Sequence, residues 1–293
     1  MKPTYNRSPE DTSSDNKTSG NISSGNISSG NMSSEQIRYL KRVKRHRITV
    51  TLSRIFILIG FLLLWEFSSD YGLIDSFIFS SPSRIAACFM TMAEDRSIFI
   101  HLWTTLYETI VSFLLVTVFG ILTAVLLWCS NKLSEILDPY LVVLNSLPKS
   151  ALAPLLIVWL GATQKTIIVA GMSVAIFGSI LSLYTSFMSV DEEDIKLIYT
   201  LGGNKRHALT KVVLPASIPA IISNMKVNIG LCLVGVIIGE FLAARKGLGY
   251  LIIYSSQVFK MDWLLMSIVL LCIMAMVLYA LISLLERYYQ KRV

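Results

Sequence analysis

The sequence predicts an all-α polytopic membrane protein with six transmembrane helices and both termini in the cytoplasm. The 293 residues are 54% hydrophobic and have a mean hydropathy of +0.62, whereas soluble domains contain roughly 45–50% apolar residues. Several apolar runs approach the ~20 residues that a helix needs to cross a bilayer. Lys and Arg are concentrated at the N-terminus and in alternate connections, which the positive-inside rule places in the cytoplasm.

The N-terminal part of the chain differs from the rest. Residues 1–35 contain a five-residue repeat that reads SGNIS, SGNIS, SGNMS. A polar repeat of this kind cannot bury enough apolar area to offset the entropy of ordering, so we expect a disordered cytoplasmic tail. Residues 36–47 follow as a basic juxtamembrane segment, and residues 48–293 form the predicted transmembrane domain.

The predicted spans follow in order, with a long connection outside the membrane after the first and another inside after the fourth. They cover residues 48–67, 102–129, 133–160, 166–188, 216–242 and 263–285. After the first span, Ser81, Pro82 and Ser83 are typical of the start of a short outer helix. In the third span, Pro148 and Pro154 predict a kink, because proline lacks the N–H of the helical hydrogen bond.

Some spans contain polar residues, and burying a charge in a membrane costs about 2.5 to 3.5 kcal/mol. Glu240 and Glu108 are therefore expected to face the bundle interior or a wet cavity. For Glu240 the structural alternatives are a helix cap or an ion pair with Arg245. Asn145, Asn228 and Ser223 are expected to make interhelical hydrogen bonds rather than ligand contacts. We expect the translocation pathway to include Pro148, Lys149, Pro154 and Glu240.

Residues 191–215 interrupt the apolar C-terminal half and predict two short helices. Ser189 and Glu192 have the spacing of a capping box, and acidic residues up to Asp194 favour a helix N-terminus. Gly202 and Gly203 are expected to end the first helix. Asn204 is expected to cap the second, and Pro215 to lie in the first turn of the next span.

This loop is predicted to be amphipathic. Ile195, Ile198 and Leu201 recur at helical spacing on the first helix. The basic residues of the second helix, Lys205, Arg206 and Lys211, are expected on the opposite side. Such a segment is typical either of a docking surface for a partner or of a linker lying at the lipid headgroups.

The sequence contains no pattern that indicates an enzyme. A G-x4-GK[ST] motif for ATP is absent, so any driving energy must come from another subunit or from an ion gradient. His46, His101 and His207 are scattered, and the four cysteines have no C-x-x-C spacing, so no metal site or other cofactor is expected. The net charge of +7 is distributed over helix ends, which argues against nucleic-acid binding.

The loop resembles the EAA signature, EAA-x3-G-x9-I-x-LP, of permease subunits of binding-protein-dependent ABC importers. Gly202, Val212, Leu214 and Pro215 match its spacing, whereas residues 196–198 read Lys-Leu-Ile in place of Glu-Ala-Ala. The resemblance implies that the loop contacts an ATPase subunit. The coupling residues it implies are Asp194, Ile198, Leu201, Gly202, Gly203, Arg206, Val212, Leu214 and Pro215.

From Trp65 to the C-terminus the chain is similar to permeases of the nitrate, sulfonate and taurine type. The matching strings include SPSRIAACF, LDPYLVVLNSLPKSALAPLLIVWLGAT and IGEFLAARKGLGYLI. This resemblance implies a type I importer fold in the cell (inner or plasma) membrane, surrounded by lipid. It also implies a second permease copy in a homodimer, two cytoplasmic ABC ATPase subunits and an extracytoplasmic solute-binding protein.

The solute implied is a nitrate-, sulfonate- or taurine-like anion, or a pyrimidine or vitamin precursor, since related permeases for the latter more often have Pro-Lys at the position of Pro148 and Lys149. The alternative function is a secondary transporter or channel driven by an ion gradient. That class predicts inverted repeats and charged relays within spans. Matching halves are not visible in this sequence.

Overall fold

The computed structural model describes residues 34–290, in which every regular element is helical. Of the predicted disordered tail, residues 1–35, positions 1–33 lie outside the described residues, whereas Ser34 and Glu35 already belong to the first helix. The helices are α1 Ser34–Asp70, α2 Ser76–Phe79, α3 Pro82–Glu94, α4 Ser97–Cys129, α5 Asn131–Ser146, α6 Lys149–Leu160, α7 Gln164–Met188, α8 Glu192–Thr200, α9 Lys205–Ala208, α10 Leu214–Ala243, α11 Leu248–Gln257 and α12 Met261–Gln290, with a π-turn at Leu209–Val213.

The chain divides into two units, residues 1–59 and residues 60–293. Within the described part of the first unit, α1 begins at Ser34, so the basic segment 36–47 is the start of the same helix as the first span. The remaining description concerns the second unit.

The predicted spans agree with the helices that are long and apolar enough to cross a membrane. Five single helices qualify within residues 34–290, and α5 with α6 gives a sixth if the pair is one span. The observed helices are longer than the predicted spans at several ends. The helix that contains the fifth predicted span begins already within the loop. It extends over Lys205–Ala243, from α9 through the π-turn into α10, without a break.

The third predicted span is broken, and not only kinked. Helices α5 and α6 meet at an angle of 97°. The break lies at Leu147 and Pro148. Leu147 has an extended backbone (ψ 139°), because the helical region is sterically disfavoured for a residue that precedes proline. With 16 and 12 residues, each helix is about 18–24 Å long, shorter than the ~30 Å hydrocarbon core.

The centre of the second unit is formed by α7, which packs between α4 and α10. Small residues allow these helices to approach closely, as is usual in membrane bundles. A Cβ added at Gly171 of α7 would lie 2.6 Å from Ser112 Oγ and 2.8 Å from Val236 Cγ2. Buried apolar residues of α10 and α12, such as Leu233 and Met274, extend this core.

A buried polar cluster joins α7 to α10. The Ser179 hydroxyl donates to Asn224 Oδ1 (2.8 Å), and Asn228 Nδ2 donates to Ser179 Oγ (2.8 Å). The predicted interhelical hydrogen bond of Asn228 is confirmed, whereas Asn145 and Ser223 are exposed. The cluster fixes the rotation of α10 about its axis relative to α7.

The connection between α1 and α4 is held to the start of α12. Ser81 caps α3 as predicted, because its hydroxyl accepts from the Arg84 N–H (3.4 Å) and Pro82 is the first helical residue. Arg84 Nη2 lies 3.0 Å from Asp262 Oδ2, and the Ser80 hydroxyl donates to Asp262 Oδ1 (2.6 Å). These bonds link two segments that are far apart in sequence.

Candidate functional site

The first helix of the loop, α8, is capped by Asp191. Its carboxylate accepts from the Glu193 N–H at 2.9 Å. The predicted capping box is wrong, because Ser189 ends α7 and its hydroxyl donates to the Ser186 carbonyl oxygen (2.8 Å). Asp194 is exposed in the first turn of α8, where the positive end of the helix dipole favours a carboxylate.

The two glycines end α8 as predicted, for different reasons. Gly202 has φ +79°, a left-handed conformation that disfavours a side chain, and a Cβ there would meet no atom within 4 Å. The Gly203 N–H donates to the Ile198 carbonyl oxygen at 2.9 Å. A Cβ at Gly203 would lie 2.7 Å from that oxygen. Gly202 is required by its backbone angle and Gly203 by lack of space.

The second helix begins at a reciprocal cap. Asn204 Oδ1 accepts from the His207 N–H (3.1 Å), and the Asn204 N–H donates to His207 Nδ1 (3.2 Å), so the predicted cap at Asn204 is confirmed. The chain then passes through the π-turn, which closes with the Leu214 N–H on the Leu209 carbonyl oxygen. Pro215 lies in the first turn of α10, as predicted.

The side of the loop that faces the helix bundle, called here its inner side, packs against the ends of α4 and α7. Ala208 and Val213 are fully buried, and Leu209 is almost so. They belong to one apolar cluster with Trp128 of α4 and Phe187 of α7. Full burial of a Val or Leu side chain stabilises by about 1.5–3 kcal/mol. The loop is therefore packed against both helices.

Residues of α8 and of the π-turn region complete this attachment. Ile195, Ile198 and Leu214 are partly buried against the same cluster, and Val212 is half-buried. The Lys205 ammonium lies 5.4 Å from the centroid of the Trp128 ring, within the range of a cation–π interaction.

The opposite side of the loop, which faces away from the helix bundle and is called here its outer side, exposes apolar side chains. Leu197 is 56% exposed, Tyr199 45% and Leu201 76%. The predicted stripe is wrong at Leu201, because α8 ends at Thr200 and the next residue no longer follows the face of Ile195 and Ile198. Arg206 and Lys211 are exposed, as predicted. The loop therefore exposes both apolar and basic groups.

The predicted pathway residues do not form one group. Pro148 precedes the first residue of α6, where the Lys149 ammonium donates to the Asn145 carbonyl oxygen. Pro154 lies inside α6 and is exposed. Glu240, by contrast, is fully buried among residues of α4 and the start of α11.

Glu240 caps α11, the structural alternative identified from the sequence. Its Oε2 accepts from the Gly249 N–H (2.6 Å), and its Oε1 accepts from the Thr105 hydroxyl (2.6 Å). The Leu248 N–H in turn donates to Thr105 Oγ1 (2.8 Å). No ion pair with Arg245 is present among residues 34–290. The turn before α11 is thus tied to α4 by a buried carboxyl group.

Glu108 lies one turn further along α4 and is 1% exposed. Its carboxyl group lies close to that of Glu240 and to the side-chain amide of Gln164. Within the described chain its Oε2 has no hydrogen-bond partner. Glu108 also lines an open cleft of about 390 Å³, together with Thr104, Ala162, Thr163, Gln164, Ile167, Ala243, Ala244, Arg245 and Lys246.

This cleft was not predicted as a site. The charge of Glu108 within a span was the only signal for it in the sequence, and Gln164 and Lys246 gave none. The turns that carry them are brought to α4 only by helix packing.

Comparison with known proteins identifies relatives that match most of the chain. Residues 116–293 match a family model described as binding-protein-dependent transport system inner membrane component. The chain is 29% identical over 231 residues to a "Probable ABC transporter permease protein" of Haemophilus influenzae, covering 78% of this chain and 94% of that protein. It is 24% identical over 240 residues to the taurine transport system permease protein of Escherichia coli, covering 79% and 85%.

A solved structure shows the same fold. A chain of the MetNI methionine ABC transporter in an inward-facing conformation aligns with a TM-score of 0.59 at 17% identity. The alignment covers 67% of this chain and 97% of that one.

Proposed function

The chain belongs to the family of inner membrane components of binding-protein-dependent transport systems, and on this premise we propose that it imports a small solute using ATP hydrolysed by a separate subunit. Residues 191–215 are the contact through which that subunit acts. The chain itself is a multi-pass permease and carries no ATP site of its own.

The observation that supports the coupling role is the two-sided construction of the loop. Its inner side is buried against Trp128 and Phe187, and its outer side exposes Leu197 and Leu201. An ATPase that moves while holding the outer side would displace the inner ends of α4 and α7 together. Interfaces between rigid elements respond to such a push by switching between discrete arrangements, here the inward-open and outward-open states.

The remaining assembly is proposed from the family. A second copy of this permease completes a homodimer within the lipid, and an extracytoplasmic solute-binding protein delivers the solute. The broken segment at Pro148, Lys149 and Pro154 lines the pathway, since irregular backbone at membrane depth is tolerated where it faces protein or a cavity. The solute is a nitrate-, sulfonate- or taurine-like anion, or a pyrimidine or vitamin precursor.

The test is uptake by proteoliposomes that contain the permease, its ATPase subunit and its binding protein. We expect uptake to require ATP and to persist when ionophores collapse the ion gradients. The ATPase subunit should also co-purify with the full-length permease from solubilised membranes. Uptake that continues without the ATPase and stops with ionophores would instead establish a secondary transporter.

A further inference from the structure

Two neighbouring cavities share the short helix α2 and the first turns of α12. The first has a volume of about 390 Å³ and is also lined by residues 61–68 of α1. The second has a volume of about 260 Å³ and is also lined by Arg84 of α3 and by the turn before α12. Consecutive residues of α2 line one cavity each, Phe77 the second and Ile78 the first, so the two cavities adjoin.

The first cavity is apolar. Apart from Ser68, the described residues that line it are aliphatic or aromatic, and the Ser68 hydroxyl donates to the Leu64 carbonyl oxygen (2.7 Å). Phe61 and Leu64 line it from α1 and are 58% and 68% exposed, so the cavity opens at the surface of the first span. Its volume is within the range of small-molecule sites. Such a surface fits hydrocarbon, which surrounds a transmembrane helix.

The level of the lipid headgroups passes between the two cavities. Trp65 lines the first cavity and Trp263 the second, and tryptophan is enriched at the membrane–water interface. The first predicted span ends at residue 67. The charged residues of the second cavity, Arg84, Lys260 and Asp262, belong to segments that follow this end or precede α12. An apolar cavity below the interface and a charged one at the interface match the two parts of a phospholipid.

Most of the charged groups near the second cavity are already paired. Arg84 Nη2 lies 3.0 Å from Asp262 Oδ2, and Arg84 Nη1 donates to a backbone carbonyl oxygen of α2 (2.9 Å). The Ser80 hydroxyl donates to Asp262 Oδ1 (2.6 Å), so each carboxylate oxygen has a donor. Glu66 of α1 accepts from the Ser83 N–H (3.0 Å) and lines neither cavity.

Lys260 is the charge that remains. Its side chain is exposed, and among residues 34–290 it belongs to no ion pair. Its ammonium lies 4.2 Å from the centroid of the Trp263 ring. The turn that carries it is closed, because Phe259 has a left-handed backbone (φ 55°) and the Lys260 N–H donates to the Ser255 carbonyl oxygen (2.9 Å). Lys260 is therefore held at the second cavity with its positive charge available to an anion.

We propose that the two cavities together bind one phospholipid with an anionic headgroup. An acyl chain lies in the first cavity against Phe61, Leu64 and Leu265, and the headgroup phosphate pairs with the Lys260 ammonium. A glycerol headgroup adds no charge, whereas an ethanolamine headgroup adds an ammonium beside Lys260 where Asp262 already has two donors. The lipid would join the end of α1 to the start of α12. This inference depends neither on the transported solute nor on the ATPase subunit.

The test is photo-cross-linking of the full-length permease in vesicles of equal amounts of dioleoylphosphatidylglycerol and dioleoylphosphatidylethanolamine. Phe61→p-benzoylphenylalanine places the photoreactive group beside the first cavity, and the cross-linked lipids are identified by mass. We expect about fivefold more phosphatidylglycerol than phosphatidylethanolamine, the effect of one lysine near a lipid headgroup. The reference is Tyr107→p-benzoylphenylalanine, an exposed aromatic position of α4 at a similar distance from its helix end, where the two lipids should react equally.

Two further substitutions, each combined with the photoreactive group at position 61, separate the two parts of the site. Lys260→Gln removes the charge, so we expect the two lipids to react equally. Its control is Lys165→Gln, which changes an exposed lysine at the start of α7 and should keep the preference. Leu64→Trp fills the first cavity and should also abolish the preference although Lys260 is retained. Because residues 64 and 260 are exposed, we expect these variants to fold.

The proposal is overturned if phosphatidylglycerol and phosphatidylethanolamine react equally at position 61 in the otherwise unchanged protein. It is also overturned if the preference survives Lys260→Gln, or if the reference position 107 shows the same preference. A cross-linked permease dimer in place of a lipid adduct would show that a second copy of the chain covers the first cavity, which likewise excludes the lipid.

Discussion

Replacement of Gly203 by alanine is expected to impair coupling more than the same replacement of Gly202. At position 203 the new Cβ would lie 2.5 Å from Ile198 Cγ2 and 2.7 Å from the Ile198 carbonyl oxygen. The side chain of Ile198 can rotate, but the oxygen is part of the backbone. It also accepts the N–H of residue 203 at 2.9 Å, so relief of the contact distorts the turn.

The magnitudes follow from these distances. Inserting a methyl group into a packed site typically costs about 1–3 kcal/mol. Gly202→Ala meets open space, so its cost is the left-handed backbone alone, about 1–2 kcal/mol. An alanine at position 202 can shift into that space, whereas an alanine at position 203 must displace Ile198, which belongs to α8. The signature motif alone predicts the opposite order, because it contains Gly202 and not Gly203.

The assay is ATP-dependent uptake in proteoliposomes, with co-purification of the ATPase subunit measured in parallel. We expect Gly203→Ala to lose most uptake and to retain less ATPase, and Gly202→Ala to keep an intermediate level. Both variants should insert into the membrane normally. Normal uptake by Gly203→Ala together with a loss in Gly202→Ala would refute the steric argument and leave the backbone angle as the only requirement.

Three further predictions concern stability, measured as the melting temperature of the purified protein. Glu240→Gln turns an amide NH2 toward one of two buried donors, so we expect the free energy of unfolding to fall by about 1–3 kcal/mol. The control, Glu135→Gln, changes an exposed residue and should have no effect. Equal melting temperatures for these two variants would contradict the role of Glu240 as a cap. Asn228→Leu should cost about 0.6–1.7 kcal/mol, the range for interhelical hydrogen bonds, and an unchanged value would show that the cluster is not stabilising. Asp262→Asn weakens a partly exposed pair with Arg84, so we expect at most about 1 kcal/mol, and a larger loss would mean that the pair is buried in the assembly.

Local chemistry made much of the loop predictable from the sequence. Gly202 and Asn204 act through their own backbone and nearest neighbours, and Pro215 is favoured in a first helical turn wherever the helix begins. The capping box failed because two candidate caps lie close together. Asp191 is adjacent to the first residue of α8 and takes the position, while Ser189 belongs to the end of α7.

Features that depend on packing between helices were less predictable. The two prolines indicated an irregular third span, but neither the size of the bend, 97°, nor its position at Pro148 could be predicted from them. Glu108 and Glu240 lie close together although they are 132 positions apart in the sequence. Each was recognisable as a charge in a span, but only the structure shows that they share one site.

The π-turn at residues 209–213 restricts how α10 can move. Its conversion to α-helix would advance the rest of α10 by one residue, which rotates it by about 100°. That rotation would carry Asn228 away from Ser179 and Glu240 away from Thr105, breaking two buried networks at different depths. These two networks therefore resist rotation of α10 about its own axis. A displacement of the end of α10 next to the π-turn would tilt or slide the helix and would not rotate it.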